Sequence, residues 1–249
     1  MNFLAAFLTL TLFSLPVCWG AGTAGETVKF QTTDGKTLVG LFAPAKPGNP
    51  TVIMLHGLAA SKEEWSPLFD ALKAHGWGAF SYDARGHGQS SLSKSPEGYP
   101  DGYKYFGPPG PGSEWEKMID DVGSAERYLA AQKKVDRQNI FLAGASVGAN
   151  VALNYAVLAR PPKGLILLSP GLSYQGFLSE GPIQKARFPV LIVASEADPY
   201  AFSSSRKLAG LNPKVTFWSD VKPGHGVQMF DAYLLPRIFN WLKSKSSPK

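Results

Sequence analysis

Short apolar runs without a charged side chain, at residues 51–55, 78–82, 140–143, 165–169, 190–194 and 215–218, constrain the fold of this chain more than any other feature. A strand that is apolar at every position has no face for water, so it belongs in a parallel sheet covered by helices on both sides. Stretches of helical periodicity separate the runs, at 62–75, 114–132, 147–158, 203–209 and 228–243, and that alternation is the pattern of βαβ units. Two further strands, 27–33 and 37–42, come first, joined through Asp34-Gly35-Lys36 as a tight hairpin in which glycine accepts a positive φ. The expectation is an α/β fold of about eight mostly parallel strands, with a leading antiparallel hairpin, helices on both faces and little or no cap.

With 249 residues, of which 44% are hydrophobic and 18% charged, the chain can bury one large core. It is read as one domain over 21–249, its core about 27–243. One stretch breaks the rhythm: 91–112 holds five prolines, five glycines and three tyrosines and reads as a long irregular loop. Ser113 and Glu116 after it form a capping-box pattern for the helix over 114–132.

Residues 1–20 stand apart. Positions 3–15 are apolar except for Thr9, Thr11 and Ser14, no charge precedes Glu26, and small residues follow at Gly20, Ala21 and Gly22. This predicts a signal peptide and export to the periplasm or beyond, although the basic start of such leaders is missing. An uncleaved anchor, or lipidation of Cys18 with Leu15 three residues before it, is the alternative. Cys18 is the only cysteine, so a mature chain beginning after Gly20 has no disulfide. The net charge of +6 lies outside the leader and is scattered, which argues against a nucleic-acid partner. Membrane contact is expected only through the leader or loosely through basic charge.

Gly144-Ala145-Ser146-Val147-Gly148 sits between an expected strand and an expected helix, the context of a nucleophile elbow, where a strained turn projects a serine hydroxyl clear of the backbone. A serine hydroxyl attacks only when a base removes its proton, so a histidine held by a carboxylate is required. Asp198 follows the strand over 190–194, and His225 follows the last strand within Pro223-Gly224-His225-Gly226. The order Ser, Asp, His matches the elbow-type hydrolases, and each residue lies beyond the C-terminal end of a strand, where open α/β sheets gather their sites. Taken singly, Asp198 is also a good helix cap before Pro199, and Glu196 competes with it for the third position. For the oxyanion, the backbone N–H of Val147 follows the serine, and that of Leu58, or of Ala59, follows His56-Gly57. His56 itself is expected to shape its turn.

His56-Gly57, the segment from Asp83 through Arg85, His87 and Gln89 to Ser90, Gly144 to Gly148, Asp198 and His225 together resemble the α/β-hydrolase family. The resemblance runs over about residues 27–241, and the minimal-lid esterase, lysophospholipase and serine-aminopeptidase-like members are most similar. It implies hydrolysis of a small carboxylic ester, short-chain or lysophospholipid-like, through an acyl-enzyme on Ser146, with no metal and no organic cofactor. It also implies structural roles for Arg85 and His87, with His87 as a substrate contact left open. About twenty residues between Ser169 and Val190 are too few for a large helical lid, so the site is expected to be open. Tyr99, Tyr103, Tyr105, Phe106 and Trp115 are candidates for an aromatic wall, and Tyr174 and Phe177 for an acyl-pocket cover; ordinary loop packing is the alternative. A peptidase, with Asp120, Asp121 or Glu180 holding a substrate ammonium, and a non-catalytic binder on the same fold are the other readings.

Overall fold

The structure, a computed structural model, describes residues 25–90 and 101–246. The leader read at 1–20, with Cys18, and Tyr99 lie outside the described residues. Among the described residues ten strands are formed: β1 (Glu26–Gln31), β2 (Thr37–Ala43), β3 (Thr51–Leu55), β4 (Gly78–Tyr82), β5 (Ile140–Ala145), β6 (Leu165–Leu168), β7 (Ser173–Tyr174), β8 (Phe177–Leu178), β9 (Val190–Val193) and β10 (Val215–Trp218). Six α-helices accompany them there: α1 (Ser66–Ala74), α2 (Lys117–Lys133), α3 (Val147–Leu158), α4 (Glu180–Lys185), α5 (Pro199–Gly210) and α6 (Leu234–Ser246).

Eight strands form one sheet in the order β1-β2-β4-β3-β5-β6-β9-β10. The β1–β2 and β2–β4 pairs are antiparallel and all others parallel, so the expected leading hairpin and parallel body are both present. Burial explains the composition of each strand. In β3 every residue is buried, with Ile53 and Leu55 packed on one face and Val52 and Met54 on the other. Edge strand β1 buries only Val28 and Phe30 and alternates with exposed residues. Helices α2 and α3 cover one face through Val122, Leu129, Val151 and Leu153; α1 and α6 cover the other through Leu68, Leu72, Ile238 and Trp241. Each fully buried aliphatic side chain contributes roughly 1.5–3 kcal/mol. Among the described residues no helix is long and apolar enough to cross a membrane.

The segment after β4 clamps the sheet. Arg85, 1% exposed, donates two hydrogen bonds to Asp121 of α2, at 2.7 and 2.6 Å, and reaches Asp34 in the β1–β2 turn and Glu114. The buried Asp83 carboxylate accepts from the Lys62 N–H, Lys62 Nζ and the Gln89 N–H. A Cβ on Gly88 would lie 2.4 Å from that carboxylate, which is why the loop needs glycine there.

Several boundaries differ from expectation for physical reasons. Helix α2 starts at Lys117 rather than 114 because Glu114 turns to Arg85 and Trp115 turns into the core. Helix α5 starts at Pro199, capped by Asp198, rather than at 203. Helix α6 starts at Leu234, with Asp231 accepting from its N–H, after a separate 3-10 turn at Gly226–Met229. Segment 169–189 holds the β7–β8 hairpin and α4, neither foreseen, and no larger lid. The hairpin is tied down by Asn150 of α3, whose amide bonds Gly171 and Phe177, and by the Tyr200 hydroxyl on Ser173.

Candidate active site

Ser146 joins β5 to α3 with φ 53° and ψ −121°, a conformation that costs a residue with a Cβ about 1–3 kcal/mol. The flanking glycines explain how the turn closes. A Cβ on Gly144 would lie 2.3 Å from the Gly148 carbonyl oxygen, and one on Gly148 would lie 2.4 Å from that of Leu55. Both separations are far inside contact distance, so only glycine lets β5, α3 and the end of β3 approach this closely. The Ser146 N–H donates to the Leu168 carbonyl at 2.9 Å, which ties the turn to β6.

Asp198 follows β9 and divides its carboxylate between two tasks. One oxygen accepts from the Ala201 N–H at 3.3 Å, capping α5, and the other meets His225 Nδ1 in a hydrogen bond. The cap and the histidine partner, alternatives in the sequence, are one residue with two oxygens. Glu196 is exposed. His225 follows β10, and its backbone is fixed by an exchange with Gln228: the Gln228 side-chain oxygen accepts the His225 N–H, and the His225 carbonyl accepts the Gln228 N–H. Gly226 brings this loop to the nucleophile turn: its N–H donates to Ser169 Oγ at 2.9 Å, and a Cβ there would lie 3.3 Å from that of Ala145. Ser146 and His225 are each the next residue along from that contact. The Tyr174 ring stands edge-on to the His225 ring, 6.5 Å between centroids. Burial, with Asp198 and Tyr200 nearby, raises the Tyr174 hydroxyl well above its usual range.

The turn after β3 supplies the third wall. A Cβ on Gly57 would lie 3.4 Å from Ser146 Cβ. His56 Nε2 accepts the Ala84 N–H at 2.9 Å, so its proton sits on Nδ1 and is donated to the Gly57 carbonyl at 2.7 Å. Burial lowers the His56 pKa and keeps this ring neutral. Since the peptide is planar and trans, anchoring the Gly57 carbonyl at His56 turns the Leu58 N–H the opposite way. Val147 N–H opens α3 and, as in the first turn of any helix, has no partner four residues back. His87 stacks on Tyr103, 4.3 Å between centroids, and bonds the Arg85 carbonyl; burial lowers its pKa to about 4.

Trp115 and Phe177 are each only 5% exposed, and Trp115 donates from Nε1 to the Gly107 carbonyl while its ring packs edge-on against Phe106. Both line a flank cavity of about 360 Å3 that extends to Asn154 and Leu158, near the far end of α3 from Ser146. Tyr105 is exposed on the 3-10 turn Gly102–Tyr105. Glu64, which the sequence reading passed over, accepts the Gly57 N–H at 2.9 Å. Its only sequence signal is its place in the turn that follows His56-Gly57.

Comparison with known proteins agrees with this architecture. The family model for serine aminopeptidase, S33, matches residues 46–207. The uncharacterized protein Rv2307c of Mycobacterium tuberculosis is 33% identical over 149 residues, 59% of this chain and 46% of that protein. A thiohydrolase of Eupenicillium brefeldianum is 30% identical over 146 residues, 58% of this chain and 42% of that one. The chain thus spans under half the length of these curated relatives. Among solved structures, the Pyrococcus furiosus esterase Pf2001 superposes with a TM-score of 0.70 at 18% identity, over 90% of this chain and 91% of that one. Esterase RhEst1 from Rhodococcus sp. ECU1013 gives 0.66 at 17%, over 88% and 98%. At such identities the likeness is one of fold, and the fold is that of the α/β hydrolases.

Proposed function

The chain belongs to the serine aminopeptidase S33 family, and from that premise we propose that it is a serine hydrolase cleaving small carboxylic esters through an acyl-enzyme on Ser146. The observation that carries the reading is the hydrogen bond from His225 Nδ1 to Asp198, in a loop packed against the residue before Ser146. Held in that tautomer, His225 presents Nε2 as the base. It takes the Ser146 proton as Oγ attacks the ester carbonyl, and the oxyanion that forms accepts from the Val147 and Leu58 N–H groups. Collapse of the tetrahedral intermediate expels the alkoxide, which His225 protonates. Water, deprotonated by the same imidazole, then releases the acid. No step calls on another group.

A site with no large lid among the described residues favours short acyl chains or lysophospholipids over long triglycerides. A peptidase would bring an ammonium to a carboxylate, and the candidates are engaged or remote: Asp121 is held by Arg85, Glu180 pairs with Lys207, and Asp120 lies exposed on α2. Rates on p-nitrophenyl acetate, p-nitrophenyl octanoate and an aminoacyl p-nitroanilide separate the two: the ester reading expects fast acetate cleavage, and a faster anilide would reverse it. Lack of turnover or fluorophosphonate labelling in folded protein would favour a non-catalytic binder. Export through residues 1–20 is part of the proposal, and protein recovered wholly from the cytoplasmic fraction would overturn it.

A further inference from the structure

Two hydrogen bonds hold the peptide units on either side of Gly57. His56 holds its carbonyl, and Glu64 Oε1 holds its N–H at 2.9 Å. Glu64 lies in the 3-10 turn Lys62–Trp65 that leads into α1. The charges around it are committed elsewhere: Lys62 is bonded by Asp83, Gln89 and Glu63, and His56 is neutral. Among the described residues no ion pair joins Glu64 to a cation. Burial, opposed only by the Gly57 hydrogen bond, raises its carboxyl to about 7. The peptide it holds is the one that enters Gly57; the next one carries the Leu58 N–H, and Gly57 abuts Ser146.

We propose that Glu64 is a positioning residue for the reaction: by holding the Gly57 N–H it fixes the entry to Gly57 and, through it, the next peptide with the Leu58 N–H, and a negative charge on it opposes the oxyanion. The inference rests on the ester-hydrolase reading with Ser146 as nucleophile. Protonated, Glu64 accepts the N–H through its carbonyl oxygen and carries no charge. Ionised, it keeps the hydrogen bond but sets a negative charge close to where negative charge must develop, and in a partly shielded interior that repulsion raises the barrier. Turnover is therefore expected to fall on the alkaline side as Glu64 ionises. Of the charged groups facing this turn, Lys62 is paired with both Asp83 and Glu63.

The test is the pH profile of kcat/KM and kcat on p-nitrophenyl butyrate, over pH about 5 to 9, for the wild type, Glu64→Gln and Glu64→Leu. Fluorophosphonate labelling of Ser146 is measured on the same samples. Glutamine keeps an acceptor oxygen and cannot ionise; leucine supplies neither. The wild type is expected to decline about three- to tenfold on the alkaline side, the size of one partly screened like charge. Glu64→Gln is expected to hold its maximum to high pH. Glu64→Leu is expected to lose roughly tenfold or more in kcat at every pH with KM little changed, because a loosened oxyanion donor is felt in the transition state. An alkaline decline of equal size in Glu64→Gln and the wild type, or wild-type turnover by Glu64→Leu, would overturn the proposal while Ser146 still labels. A Ser146 that never labels would overturn the ester reading and this inference with it.

Discussion

Asp198 and Glu196 sit two residues apart, and spacing gave no decisive ground to choose between them. The choice is geometric: Asp198 has both oxygens occupied, one by the α5 cap and one by His225, whereas Glu196 is exposed. Asp198→Asn is expected to lower kcat by about a thousandfold or more, since an amide facing Nδ1 favours the wrong imidazole tautomer. Glu196→Gln should change it by less than about twofold, as exposed substitutions usually do. Steady-state rates on p-nitrophenyl acetate check both. The pairing of His225 with Asp198 and the place of Ser146 in a strand-to-helix turn could be read because chain order and strand ends constrain them jointly. Glu64 could not, because nothing in a Lys-Glu-Glu-Trp sequence tells which glutamate turns inward. The aromatic positions divide for a similar reason: Tyr174 faces the His225 ring, while Trp115 and Phe177 are buried along the flank cavity, a placement that depends on how their loop folds back.

At the scale of elements, the strands were legible because two-sided burial writes itself as continuous apolar sequence, and β3, β4 and β10 have the expected limits. Helix starts were less so. The Asp198-Pro199 pair was in fact the start of α5, a cap followed by proline at the first helical position. The β7–β8 hairpin had no pattern of its own; it exists because Asn150 and Tyr200 hold it. Asn150→Ala removes three buried hydrogen bonds and strands the carbonyls of Gly171 and Phe177, so urea unfolding should register a loss of about 2–4 kcal/mol. The elbow is a contact between elements as much as a motif. Gly148→Ala would force a methyl into the Leu55 carbonyl, and a loss of about 1–3 kcal/mol or more, with activity falling too, is expected in the same assay.

For the molecule as a whole, one buried cation joins parts distant in sequence. Arg85 links the exit of β4 to the β1–β2 turn and to α2, and Arg85→Ala would leave Asp121 buried without its partner. A cost of about 3–5 kcal/mol is expected, equivalent to a fall in Tm of about 6–20 °C for a domain of this size. Arg85→Lys should rescue little of it, because one ammonium cannot reproduce the paired bonds to Asp121 and the reach to Asp34; calorimetry decides. The α/β class and the strand succession could be read from the chain, whereas this network could not, since a Gly-rich segment after a strand leaves open which side chains its arginine will meet. On the proposed reading, these contacts hold the strand ends in register so that one imidazole activates one hydroxyl. Intact-mass analysis after fluorophosphonate treatment tests that most directly: the wild type should gain one adduct, located at Ser146, and His225→Ala should react orders of magnitude more slowly while still folded. An adduct that forms equally fast in folded His225→Ala, or that persists in Ser146→Ala, would contradict it.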